Sequence, residues 1–554
     1  MTEPSNTPYF AGQPRFNDAE ASRRQAAGDL QGAWRHVLAR GASALAGVGG
    51  PFAVALRDER GRWLLAVDRF ASLPLCWRSG PGGLAFAPRA DTLGSAAGLS
   101  PQALYDYLYF HCIPSPTTVF QQVQRLPAGH WGVFDNGAML IERWWTPHFQ
   151  PPQNADFGAL RDEFRDLLKQ AVKSELDGGK PGCFLSGGTD SSTVAGVVSE
   201  VAGRPAVTYS IGFDASGYDE MEYARIAARH FGCEHHEYYV TPDDLVAAIP
   251  AVARHYDQPF GNSSALPAYY CARMAHADGV GRLLAGDGGD ELFGGNSRYA
   301  KQRVFGWWGL SPPALRRAVL EPLLLSKAGR VLPLLKKGAS YAEQARVPMP
   351  DRLQMYNLLL RLGAADVLTP QMLAQVNEAA PLAQQQQVWG SAQATDELNR
   401  TLAYDWRYTL AESDLPKVNM ATGLAGVGVG YPLLDSALVD FSLRLPTHYK
   451  LKGLKLRWFF KEALRGFLPD EILTKKKQGF GLPFGVWALR HEGLRKLATD
   501  SLAALGTRGI VRPDFIGTLL DVRLREHPGY YGEMVWILMM LEQWLQGHAP
   551  DFRL

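Results

Sequence analysis

The sequence predicts an α/β protein, a parallel sheet wound by helices that runs on into a helical C-terminal portion and is preceded by a smaller β-rich unit. Three observations predict it. From about residue 155 onward, apolar strand-like runs alternate with helical stretches, the order that builds parallel sheets. Between about 50 and 145 the runs are short and separated by turns containing Gly, Pro and Asp. The 554 residues are also too many for one hydrophobic core.

In the N-terminal part, PFAVALRD, RWLLAVD and GLAFAP read as strands, and HWGVFD and AMLIERWW as a hairpin turned at Asn136-Gly137. Residues 146–156, TPHFQPPQNAD, read as a linker. Leu160, Phe164, Leu167, Leu168, Ala171 and Val172 then share one face of a helix. GCFLS, AVTYSIGF and RLLAGD are the strands that follow. The pattern over 301–400 is helical and includes Gln384–Gln387, read as a solvated helix or loop. Beyond 400 the chain is helical to its end, where Trp536 and Trp544 are expected in the core.

Composition narrows the function. A net charge of +2 advertises neither a nucleic-acid nor an anionic-membrane surface. Apolar runs fall short of the roughly 20 residues of a membrane span, and MTEPSNTPYF lacks the features of a signal peptide. Cys76, Cys112, Cys183, Cys233 and Cys271 form no CxxC pair and read as reduced thiols of a cytoplasmic protein. His235 and His236, adjacent on a strand, point to opposite faces and make no metal site.

Two motifs carry chemistry. Ser186-Gly187-Gly188-Thr189-Asp190-Ser191-Ser192 follows the strand GCFL and opens the helix STVAGVVSEV. Its glycines permit a sharp turn and close ligand approach, and free N–H groups at the helix start favour an anion. A Gly-Gly pair alone is a weak signal, since tight turns use it too, and no lysine follows as in a GxxxxGK[ST] loop. Gly286-Asp287-Gly288-Gly289-Asp290-Glu291 follows RLLA, at a strand end where α/β sheets bind ligands. Asp190 and Asp290 suit Mg²⁺, which takes one or two carboxylates plus phosphate oxygens; the bland alternative is two acidic surface turns.

SGGTDSS resembles the PP-loop of ATP pyrophosphatases. Together with SIGF, YDEMEYARIAARHFGCEHHE and GDGGDELFGG it resembles the synthetase domain of asparagine synthetases and their relatives, the β-lactam synthetases and lasso-peptide cyclases. The likeness continues through DLPKVNMATGLAGVGVGYPLLD, KGLKLRWFFKEAL, LPDEILTKKKQGFGLPF and WILMMLEQWL, outside the helical insertion near 301–400. It implies a synthetase domain over 155–550 with a PP-loop pyrophosphatase-type sheet. Leu185, Ser186, Ile211 and Gly212 would then line the nucleotide pocket, beside Gly187, Gly188, Asp190, Ser191, Ser192 and Gly286 of the loops. Asp190 and Asp290 would hold Mg²⁺. Lys477, in a KxGF element, would neutralise the α-phosphate or leaving pyrophosphate; without that context Lys475–Lys477 is a solvated charge run. Asp287, a further catalytic candidate, stands where β-lactam synthetases place a tyrosine.

The N-terminal strands resemble the later strands of the family's glutaminase domain. A working glutaminase needs a cysteine directly after the initiator Met, but Thr2 stands there and no cysteine precedes Cys76. Residues 1–147 are therefore expected to form a degenerate N-terminal-nucleophile-like domain, kept as a structural cap or to bind something else. A second departure is at Val427–Asp435, where Gly428 and Gly430 replace the Glu and Arg of the family's LExRxPxLD element. That predicts a roomier, less charged acceptor site, with Lys417 and Asp435 retained. The expected activity is an ATP-dependent ligase that adenylates a carboxylate, releases pyrophosphate and lets an amine displace AMP. The alternatives are an asparagine synthase using ammonia and a silent scaffold. ATP and Mg²⁺ are the expected cofactors, and small-molecule or peptide carboxylates and amines the partners. No nucleic acid or membrane is expected, and a homodimer stays open.

Overall fold

The structure is a computed structural model. It describes residues 7–554 apart from 96–97, 153, 177, 477–480 and parts of 311–332. The N-terminal unit holds β1 (Tyr9–Gly12), β2 (Arg15–Phe16), β3 (Val48–Gly49), β4 (Phe52–Arg57), β5 (Trp63–Val67), β6 (Cys76–Gly80), β7 (Gly83–Ala87), β8 (Gln124–Arg125), β9 (His130–Asp135) and β10 (Ala138–Arg143). Five of them form an antiparallel sheet in the order β1-β4-β5-β9-β10. Alternate residues of β4 go to opposite faces. Phe52, Val54 and Leu56 meet Trp34 of the helix Leu30–Leu38, while Ala53 and Ala55 join Trp63 and Leu65 on the other side. At the β9–β10 turn Asn136 and Gly137 both have positive φ, 48° and 83°. That is the type I′ geometry whose twist matches its strands.

Residues 146–156 are more than a linker. Phe149 is buried against Trp406, and Trp145 stacks flat on the same indole at 5.9 Å.

The larger unit that follows is built on β11 (Gly182–Phe184), β12 (Val207–Phe213), β13 (Glu234–Val240), β14 (Arg282–Leu284) and β15 (Gly428–Gly430). These five are parallel, in the order β13-β12-β11-β14-β15. β12 is buried at every position, as expected of a central strand covered on both faces. From β11 the chain moves outward through β12 and β13, then returns to place β14 on the opposite side of β11. The boundary between β11 and β14 is thus the switch point at which open α/β sheets bind ligands.

The C-terminal part is helical and closes with Pro528–His548, in which Trp536 and Trp544 are core residues. The glutamine run lies in the helix Ala380–Gly390, but it is not wholly solvated: Gln385 is buried and accepts a hydrogen bond from Tyr109 at 3.3 Å. His235 meets Thr208 while His236 meets Asp278, so the two rings serve different contacts. All five cysteines are free thiols. Among the described residues no helix is long and apolar enough to cross a membrane.

Candidate active site

β11 delivers Leu185 and Ser186 to the switch point, where the chain turns into the helix Thr189–Ala202. Gly187 has φ 68°, and a Cβ there would lie 2.5 Å from the carbonyl carbon of Tyr223, so only glycine fits. The Ser186 N–H donates to Ser191 Oγ at 3.1 Å, which folds the loop back onto the helix start. Among the described residues no side chain caps that helix, which leaves its first N–H groups for an anion.

β14 delivers the second loop and the short helix Gly289–Phe293. The loops are in backbone contact. A Cβ on Gly286 would lie 2.8 Å from Ser191 N and 2.9 Å from the Asp190 carbonyl carbon. Asp190 and Asp290 are thereby brought onto one guanidinium, that of Arg457, which pairs with Asp190 and lies 3.1 Å from Asp290.

These groups line a cavity of about 900 Å³. Of the residues singled out in the sequence, Leu185, Ser186, Gly188, Asp190, Ser191, Ile211, Gly286, Asp287 and Asp290 face it. Gly187, Ser192 and Gly212 do not: Gly187 packs on Tyr223, Ser192 is fully buried, and Gly212 lies under the Tyr239 ring. Lys477 lies outside the described residues.

One wall carries an acidic group around a lysine. Lys417 Nζ is 3.0 Å from Asp414 and 3.6 Å from Asp287. Burial works against its charge, but Asp414 and Asp287 outweigh it and hold the ammonium above its usual range. Burial likewise raises the Asp287 carboxyl, opposed by Lys417 and helped by Asp414. Glu291 behind them is pushed up to about 8, first by burial and then by Asp414 and Asp405.

Sequence reasoning missed Arg457 and gave Lys475 no role of its own beside Lys477. KGLKLRWFFKEAL marked the segment but not the arginine, whose placement depends on a left-handed backbone, φ 54°, that no composition signals. Lys475 is no solvated charge. It pairs with Glu220 at 2.9 Å, lies 4.4 Å over the Tyr223 ring and sits 3.5 Å from the Gly187 carbonyl.

The expected acceptor wall needs correction. Val427–Tyr431 and Asp435 line a different cavity, about 600 Å³, between the two halves. Gly430 opens no room there: a Cβ on it would lie 2.5 Å from Glu175 Oε2 and 3.1 Å from an Arg282 guanidinium nitrogen. Charge is not removed either, because Arg282 pairs with Glu175 and Arg15 pairs with Asp435 in the same place. The helix Leu415–Leu424 separates the cavities, with Lys417 facing one and Asn419 the other.

The asparagine synthase family profile matches residues 163–546, and the glutamine amidotransferase domain profile matches residues 19–145. The chain is 24% identical over 529 residues to the glutamine-hydrolyzing asparagine synthetase 1 of Bacillus subtilis, covering 93% of this chain and 80% of that protein. It is 27% identical over 519 residues to a putative glutamine-hydrolyzing asparagine synthetase of Mycobacterium bovis, covering 89% and 76%. A putative glutamine-hydrolyzing asparagine synthetase 2 of Methanocaldococcus jannaschii is 39% identical over a shorter stretch of 195 residues, 34% of this chain and 37% of that one.

Proposed function

The chain belongs to the asparagine synthase family, and from that premise we propose that it adenylates a substrate carboxylate and passes the acyl group to an amine. Family membership makes it a carbon–nitrogen ligase that uses ATP. The finer reading rests on one observation, the contact of two glycine-rich loops at the switch point with both their aspartates on one cation.

In this reading the loop 186–188 is a PP-loop, and it binds the pyrophosphate end of ATP with the first N–H groups of Thr189–Ala202. Leu185 and Ile211 take the nucleoside side. A carboxylate oxygen of the substrate attacks the α-phosphorus, the bond to the β-phosphate oxygen breaks, and pyrophosphate leaves. An amine then attacks the acyl carbon and AMP departs, a far better leaving group than oxide. In this reading Asp287 takes the amine proton; it lines the cavity, and a carboxyl raised by burial is a stronger base than a solvated one. Lys417 stays charged between Asp287 and Asp414 and offers an anchor for a substrate carboxylate.

Asp190 and Asp290 fit Mg²⁺: they already share a cation, and two carboxylates with phosphate oxygens form the all-oxygen set it prefers. Bound there, the ion would neutralise charge on the phosphates. We assign no glutamine hydrolysis to residues 1–147. Cys76 and Cys112 are buried, and burial pushes both thiols far up, so neither supplies a thiolate.

The test is calorimetric titration of the full chain with Mg²⁺ and a non-hydrolysable ATP analogue, beside pyrophosphate release from a panel of amino-acid carboxylates that includes aspartate with ammonium. Asp190→Ala should weaken the analogue about 10- to 100-fold, the worth of a contact to a charged group. Binding of wild-type strength in that variant would refute the site.

A further inference from the structure

Arg457 is more closely held than an ordinary surface cation. Its side chain is 7% exposed and lines the large cavity. It lies 4.9 Å over the Phe460 ring, and its backbone N–H donates to the Gly294 carbonyl at 3.2 Å. Two missing side chains make its slot. A Cβ on Gly289 would lie 2.7 Å from a terminal guanidinium nitrogen and 2.6 Å from Asp190 Cγ; one on Gly295 would lie 2.6 Å from Arg457 Cδ. Arg457 Nε is buried with no hydrogen-bond partner among the described residues. Among the described residues the guanidinium thus has one donor unused while its terminal nitrogens face carboxylates.

Building on the nucleotide reading above, we propose that Arg457 is an internal counter-cation that holds Asp190 and Asp290 together before nucleotide binds and transfers to the phosphates when metal and ATP arrive together. A divalent ion on the same two carboxylates would face the guanidinium within a few ångströms, and like charges at that range repel strongly. Metal alone must displace Arg457 and leave it buried without a partner. Metal arriving with ATP brings phosphate oxygens, which suit the guanidinium fork as well as carboxylates do. The slot thus makes metal binding conditional on nucleotide.

The experiment is an electron paramagnetic resonance titration of Mn²⁺ into the full chain, with and without the non-hydrolysable ATP analogue, for wild type, Arg457→Gln and Arg457→Lys. Inorganic pyrophosphate affinity is measured in parallel by calorimetry. In wild type Mn²⁺ should bind at least about tenfold more tightly with the analogue than alone. Arg457→Gln should raise the metal-only affinity about tenfold and lower that for pyrophosphate by a similar factor, with Arg457→Lys between. If Arg457→Gln does not fold, Arg457→Lys decides by the same two affinities. Both affinities within about twofold of wild type in a folded variant would overturn the proposal while leaving the nucleotide site standing. A wild-type protein that binds no analogue would overturn both.

Discussion

Replacing Gly286 by alanine probes the contact between the loops. The added carbon would sit 2.8–2.9 Å from Ser191 N, the Asp190 carbonyl carbon and Asp190 Cβ. All three belong to the first turn of one helix, so no flexible side chain can swing away. The loops must part by about 0.5 Å to restore van der Waals contact, and overpacking of this kind costs about 1–3 kcal/mol. Separation moves Asp190 away from Asp290, and displacements approaching 1 Å at a reaction centre cost up to about 100-fold. We expect the ATP-analogue affinity measured by calorimetry to fall about tenfold, with a lower urea midpoint and an unchanged far-ultraviolet circular dichroism spectrum. Gly390→Ala is the control, because nothing lies within 4 Å of a Cβ there. Analogue affinity of wild-type strength in Gly286→Ala would show that the loops need not touch for nucleotide to bind.

Gly430→Ala should behave in the opposite way. Its Cβ would press on Glu175 Oε2 at 2.5 Å and Leu284 Cδ2 at 2.7 Å, which should cost about 1–3 kcal/mol in urea denaturation and leave analogue affinity intact. Unaltered stability would disprove the crowding. Glu291 should make the fold sensitive to pH. Its carboxyl is pushed from 4.5 up to about 8, so the folded protein keeps a proton that the unfolded chain releases. The stability it contributes is complete below about pH 4.5 and is lost as pH rises toward about 8. Glu291→Gln removes that titration, so its melting temperature should fall less than that of wild type between about pH 6 and about pH 9. Parallel curves for the two proteins would contradict the assignment.

The sequence revealed the elements whose residues act locally. Strands β11, β12 and β14 are buried apolar-rich runs, β11 and β14 with glycine close by on both sides, and the helix Thr189–Ala202 begins at its own glycine pair. Strand β13, EHHEYYV, lies at the sheet edge with a half-polar pattern and gave a much weaker signal. Strand β15, Gly-Val-Gly, has almost no strand propensity and exists because β14 pairs with it. At the site, glycine spacing gave both loops. Arg457 could not be found that way, because its meeting with Asp190 joins residues 267 apart. The same blindness produced the error at Gly430: a deleted side chain is visible in a sequence, whereas the Glu175 that fills its place arrives through the fold.

Trp406 joins more than two halves of a chain. Its indole face carries Trp145 and Phe149, while its ring N–H donates to the Glu291 carbonyl at 2.9 Å, one residue past Asp290. A gene shortened to begin after residue 150 would bare that face to water beside the Glu291 backbone. The front half therefore cannot be shed by simple deletion, whatever chemistry it keeps.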